Sequence, residues 1–160
     1  LGQDLYLYPR MDAALWCCEE EFISSCALDD LQCVWCCAEG FRNAKESASI
    51  PVLSIFDSEE VGSSSMQGAD SNVLARLIHR ICAACGLDAD RMLSNSFLVS
   101  ADNAHALHPN RPEMADSANA PLVNGGPVLK FNANLRYTTD GLAAAIFRSV
   151  GRKAGVYVPT

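Results

Sequence analysis

Basic residues are scarce in this sequence, which argues against a negatively charged polymer as its binding partner. The 160 residues contain 12 Lys and Arg against 19 Asp and Glu, for a formal net charge of −7. Binding to a nucleic-acid backbone requires a surplus of positive charge, so no nucleic acid is expected as a partner. The apolar runs fall well short of the ~18 residues of a membrane helix, and no signal peptide is visible. No membrane association is expected either.

Cysteine is absent after residue 85, and all eight cysteines fall within the first 85 residues. All of them except Cys26 lie within three positions of another cysteine, which is unlike the disulfide framework of a secreted domain. We therefore expect free thiols and a cytoplasmic location. Two Cys-x-x-Cys pairs, Cys33 with Cys36 and Cys82 with Cys85, could hold a structural zinc ion. Both pairs lie in apolar helical patterns, which favours small, buried hydrophobic side chains instead.

Apolar residues make up 49% of the sequence, enough for one packed domain. Four short apolar runs predict strands, and a strand of this composition is buried: residues 51–56, 96–100, 128–132 and 156–160. Three stretches with helical spacing predict helices, of which the first is expected to be buried: residues 28–39, 73–85 and 142–150. Because strands and helices alternate, the predicted class is α/β, with a three-layer, mostly parallel central sheet flanked by helices.

Acidic residues follow the two central predicted strands. Asp57, Glu59 and Glu60 come after the first, and Asp102 after the second. Ligands of open α/β sheets bind beyond the carboxyl ends of the strands, and carboxylates that meet there repel each other unless a cation neutralises them. In a Glu-Glu pair, one side chain can bind a metal while the other takes a proton from the activated water. A solvated acidic loop is the alternative, and the pattern alone leaves it open.

Two histidines, His105 and His108, follow Asp102 closely. Their spacing suits metal ligation or substrate contact. It suits equally well two imidazoles whose hydrogen bonds are satisfied by nearby carbonyl groups. The pattern does not decide between these interpretations.

Four segments resemble, in order, the signatures of the aspartyl aminopeptidase and vacuolar aminopeptidase I family. They are residues 21–24 followed by 28–31, residues 56–65 followed by 67–70, residues 100–110 and residues 126–137. Four matches in order are far more specific than a Glu-Glu pair alone. The resemblance implies a metallo-exopeptidase α/β domain with two divalent metal ions, most often Zn²⁺. It also implies an inserted dimerisation domain, peptide substrates and assembly into tetrahedral dodecamers.

The same resemblance implies roles for individual carboxylates. Asp29 is expected to bridge both metal ions, while Glu60 and Asp102 each bind one of them. Glu59 is expected to act as the general base. By the same resemblance, the Asp29–Asp30 peptide bond is expected to be cis. The implied reaction is the removal of N-terminal residues from peptides, with the preference for acidic or neutral residues left open.

The resemblance also implies roles in substrate binding for three further residues. Lys130 and Tyr137 resemble residues that line the family's substrate pocket, and His105 is expected to support the site rather than to bind metal. The family's two metal-binding histidines have no counterpart in this sequence.

We therefore expect an incomplete catalytic domain that is inactive alone. Residues 1–15 are expected to be the trailing edge of the inserted domain, and residues 16–160 to be part of the catalytic domain. Two alternatives remain: a non-catalytic or incomplete assembly subunit of the same fold, and a binuclear-metal amide hydrolase that acts on small metabolites.

Overall fold

The computed structural model describes residues 5–159, so the first four residues of the predicted 1–15 segment lie outside it. The chain divides after Asn103 into two compact units, which we describe separately. Within the described range, no helix combines the length and the apolar content that a membrane crossing requires.

A short hairpin opens the regular structure of the first unit. Strand β1 (Ala14–Trp16) pairs antiparallel with strand β2 (Phe22–Ser24). The Trp16 and Phe22 rings stack with their centroids 4.8 Å apart, and Trp16 Nε1 donates a hydrogen bond of 2.7 Å to Ser24 Oγ. The sequence does not predict this hairpin, because two three-residue strands are too short to give an alternating pattern.

Helix α1 (Leu28–Arg42) confirms the first predicted helix, with an interruption in its first turn. Asp29 and Asp30 have non-helical backbone angles, so the regular helix begins only after them. The predicted burial is wrong, because Leu31 and Trp35 remain 58% and 66% exposed. No residue of α1 is buried within the described chain.

Helices α2 (Val73–Ala84) and α3 (Ala89–Ser94) complete the first unit. The second predicted helix is therefore confirmed, and its end is explained by Gly86, whose φ of +68° lies in the left-handed region that favours glycine. Cys82 is the buried residue of α2. Asp88 caps α3, since its side chain accepts a hydrogen bond of 3.1 Å from the backbone N–H three residues on.

The second unit contains a 3₁₀ turn (Pro112–Met114) and helix α4 (Gly141–Lys153). The Asp140 side chain caps α4 by accepting a 2.7 Å hydrogen bond from the N–H three residues on. Gly151 is buried on the inner face of α4, and a Cβ atom there would lie 2.7 Å from Val158 Cγ2. The absence of a side chain at Gly151 therefore lets Val158 pack against the helix.

The four predicted strands are not formed among residues 5–159. The described parts of residues 51–56, 96–100, 128–132 and 156–160 have no paired strand, and Thr160 lies outside the description. Phe97 and Phe131 remain 56% and 54% exposed. Strand hydrogen bonds require a neighbouring strand, and the described chain supplies none to these segments. Composition therefore identified apolar segments but could not identify their partners.

Candidate metal centre

Three carboxylates converge in the first unit. Asp29, Asp30 and Asp102 each offer an oxygen atom, and these oxygens all lie within 4.8 Å of one another. We call this group the Asp cluster. Among the described residues, no other group of His, Cys, Asp and Glu has this geometry. The structure thus brings together two predicted metal ligands, Asp29 and Asp102, and adds Asp30, which sequence reasoning did not assign.

The backbone at the Asp cluster matches the prediction. The Asp29–Asp30 peptide bond is cis. Asp30 is half-buried, whereas Asp29 and Asp102 are exposed. The Oδ1 atom of Asp30 is buried and has no hydrogen-bond partner in the described chain. A buried carboxylate oxygen without a partner is costly, and a divalent cation beside it would remove that cost, so the Asp cluster fits a metal ion.

Asn103 links the two chain segments that carry these carboxylates. Its Nδ2 atom donates a 2.9 Å hydrogen bond to the Leu28 carbonyl oxygen. Its Oδ1 atom accepts a 3.0 Å hydrogen bond from Cys33 Sγ. Both partners flank the Asp29–Asp30 pair, and Asn103 itself follows Asp102. Sequence reasoning missed this link because nothing local to position 103 indicates a partner 75 positions away.

Cys33 is held in its protonated form. Burial, followed by the neighbouring Asp30 carboxylate, raises the pKa of Cys33 from 9.0 to about 12. Because the thiolate is the form that binds metal, this side chain serves as a hydrogen-bond donor. Cys82 is buried as predicted, but Cys36 and Cys85 are exposed. All eight cysteines are free thiols.

The predicted base Glu59 and the predicted ligand Glu60 lie outside the Asp cluster. Both are exposed, in a loop of residues 57–70 that we call the Glu loop. The loop is shaped by its own backbone, since Gly62 N donates to Glu59 O at 2.8 Å. The roles of Glu59 and Glu60 stay predictions.

Two backbone segments of the Glu loop lie against each other. The N–H of Asp70 donates a 3.2 Å hydrogen bond to the Ser63 carbonyl oxygen. Gly68 lies directly against the same carbonyl group, and a Cβ atom at this position would overlap it. The residue at position 68 must therefore be glycine for the loop to keep this shape.

In the second unit, two of the predicted substrate-binding residues are neighbours. Lys130 Nζ lies 6.0 Å from the centre of the Tyr137 ring, at the outer limit of a cation–π contact. A turn between them is closed by Asn132, whose side chain accepts a 2.8 Å hydrogen bond from Asn134 N. His105 is exposed in the same unit. Contact of these residues with a substrate stays a prediction.

Comparison with known proteins gives one family. Residues 1–159 match the family described as "Aminopeptidase I zinc metalloprotease (M18)". The chain is 43% identical over 158 residues to the "Probable M18 family aminopeptidase 2" of Clostridium novyi, covering 97% of this chain and 36% of that protein. The chain thus spans about a third of the length of such relatives.

Solved structures give the same result. The chain is similar to Chaetomium thermophilum mApe1, with a TM-score of 0.78, 30% identity, and coverage of 92% of this chain and 35% of that one. It is also similar to the S. cerevesiae mApe1 dodecamer, with a TM-score of 0.82, 25% identity, and coverage of 92% and 36%. These neighbours confirm the predicted α/β class, although the described residues themselves form only the β1–β2 sheet.

Proposed function

The chain belongs to the M18 aminopeptidase I family of zinc metalloproteases, and on that basis we propose that the protein removes N-terminal residues from peptides with a metal-activated water. The observation that carries the proposal is the Asp cluster. Three carboxylates meet within 4.8 Å, in a chain that matches the family along almost its whole length. In a solvated acidic loop the carboxylate oxygens face water, whereas Oδ1 of Asp30 is buried without a hydrogen-bond partner, which is costly unless a cation lies beside it.

The donor set is compatible with zinc, which accepts carboxylate oxygens as well as imidazole and thiolate. We propose two ions, with Asp29 as the ligand shared between them. Asp102 would bind one ion and Glu60 the other, and Asp30 would supply an additional oxygen beside Asp29. Glu60 lies outside the Asp cluster. This arrangement therefore requires the Glu loop to move so that the Glu60 side chain reaches the ions when they bind.

Bound zinc lowers the pKa of a coordinated water toward neutrality and polarises the scissile carbonyl group. Glu59 would accept the proton of the attacking water and then return it to the leaving amine. One carboxylate can perform both transfers because it is deprotonated at the start of each cycle and regenerated at its end. Its neighbour Glu60 stays available as a ligand.

Substrate recognition would use residues of the second unit. Lys130 is suited to a carboxylate of the substrate, because a charge-assisted hydrogen bond to an anion is about twice as strong as a neutral one. The nearby Tyr137 ring would restrict where the Lys130 ammonium group can lie. His105 would support the site. By the family resemblance, such a lysine in the substrate pocket would favour peptides that carry an acidic residue.

Assembly and location are proposed from a structural neighbour and from the cysteine content. One structural neighbour is described as a dodecamer, and we propose that the complete protein is a homo-oligomer of this kind. Residues 1–15 would be the trailing edge of a dimerisation domain, and residues 16–160 part of the catalytic domain. Eight free thiols are compatible with a reducing compartment such as the cytoplasm.

The test uses the complete protein and a Glu59→Gln variant. We expect the variant to bind zinc as the parent does and its kcat to fall by about 10²–10⁴-fold, the usual contribution of a general base. Glu46→Gln, an exposed glutamate in the same unit, serves as the matched control. Unchanged turnover in Glu59→Gln would remove this residue from the mechanism. Turnover of N-acyl amino acids in place of peptides would instead indicate an amide hydrolase.

A further inference from the structure

We propose that Asn103 and Cys33 form a positioning pair, which holds Asp102 against Asp29 and Asp30 before any metal ion binds. This inference rests on the proposed function, because it concerns the affinity of the Asp cluster for zinc. It assigns a role to two residues that make no contact with substrate in the proposed mechanism.

The geometry places the pair where it can control the Asp cluster. Asn103 directly follows Asp102, and its amide group reaches the carbonyl oxygen of Leu28, the residue directly before Asp29. A movement of either chain segment would therefore stretch the 2.9 Å hydrogen bond between them. The separation of Asp102 from Asp29 is in this way coupled to the Asn103 side chain.

The second hydrogen bond orients the amide group. An asparagine side chain has a donor end and an acceptor end, and Cys33 Sγ donates to the acceptor end at 3.0 Å. This leaves the donor end facing Leu28.

The Asp cluster needs such support because its members repel each other. Three like charges within 4.8 Å favour separation when no cation is present. Residues that orient metal ligands commonly change metal affinity by 10–100-fold when they are replaced. A neutral amide and a protonated thiol can hold the carboxylates together without adding charge.

The test measures zinc affinity by chelator competition in the complete protein, together with the absorption spectrum of the cobalt(II) form. Asn103→Leu keeps the size of the side chain and removes both hydrogen bonds. Cys33→Ala removes the donor, and Cys33→Ser restores one. We expect Asn103→Leu to weaken zinc binding by about 10–100-fold and to alter the cobalt spectrum. Cys33→Ala should lose about tenfold, and Cys33→Ser should recover most of that loss.

Controls separate positioning from other roles. Cys36→Ala, an exposed cysteine on the same helix, should bind zinc like the parent. At saturating zinc, kcat of Asn103→Leu should return to within about threefold of the parent, since a residue that only orients ligands is no longer needed once they are loaded. The losses of Asn103→Leu and Cys33→Ala should not add in the double variant, because they break one connected unit.

Three results would overturn the inference while leaving the proposed function intact: unchanged zinc affinity in Asn103→Leu, equal losses in Cys33→Ser and Cys33→Ala, or a kcat of Asn103→Leu that stays low at saturating zinc. If the parent protein itself neither binds zinc nor cleaves peptides, the proposed function fails, and this inference fails with it.

Discussion

The Asp cluster and the Glu loop belong to the same unit and carry the same chemical group, yet they are held in different ways. The Asp cluster is joined by contacts between segments about 75 positions apart, of which the Asn103–Leu28 hydrogen bond is one. The Glu loop is shaped by hydrogen bonds within residues 57–70. The Asp cluster therefore depends on tertiary structure, whereas the Glu loop depends on local backbone geometry.

This difference has a consequence for metal binding. The oxygen atoms of the Asp cluster already lie within 4.8 Å of one another, while Glu59 and Glu60 have a defined backbone but lie outside this group. If the site holds two ions, we expect the first to bind to the Asp cluster. We expect the second to bind only when the Glu loop moves toward it. Preorganised ligands lose less conformational freedom on binding and so contribute more affinity.

The largest expected effect compares one ligand from each region. Asp102→Asn should weaken binding of the first zinc ion by at least about 100-fold, the upper end of the range found for residues that merely orient ligands. Glu60→Gln should leave the first ion bound with near-parental affinity and weaken the second. Calorimetric titration of the metal-free complete protein with zinc measures both steps. Equal losses of first-ion affinity in the two variants would mean that the Glu loop is preformed as well.

A second prediction perturbs the Glu loop alone. In Gly68→Ala, the new Cβ atom would meet the Ser63 carbonyl group, and such overpacking costs about 1–3 kcal/mol. We expect a lower denaturation midpoint and reduced turnover, with first-ion affinity unchanged because the Asp cluster does not depend on the loop. An unaltered midpoint would show that the loop relaxes easily around position 68.

Sequence reasoning works where the neighbouring residues carry the signal. Gly86 predicted the end of α2, and the motifs around Asp29 and Asp102 singled out two residues that the structure brings close together, while their binding of metal stays a prediction. Asp30 and Asn103 were missed because their contacts are with distant segments. For the same reason, residues 51–56 could be identified as apolar but not paired, because a strand is defined by its neighbour.

A third prediction tests the environment of the Asp cluster through its thiol. Because the pKa of Cys33 is raised to about 12, its thiolate is rare at pH 8, and iodoacetamide should modify Cys33 at least about tenfold more slowly than the exposed Cys36. Mass spectrometry of the timed reaction gives both rates. Asp30→Asn should speed the modification of Cys33, since the nearby negative charge is one cause of the raised pKa. Equal rates for the two cysteines in the parent protein would contradict the environment described for Cys33.

The smallest expected effect uses a glycine that no neighbour constrains. Gly40 lies within α1, and a Cβ atom there would meet nothing within 4 Å. Gly40→Ala should therefore stabilise the protein by about 0.5–1 kcal/mol, because alanine loses less backbone entropy in a helix than glycine does. Thermal unfolding should give a higher midpoint for Gly40→Ala and a lower midpoint for Gly68→Ala, although both variants replace glycine by alanine. A destabilised Gly40→Ala would indicate that another part of the complete protein packs against α1 at this position.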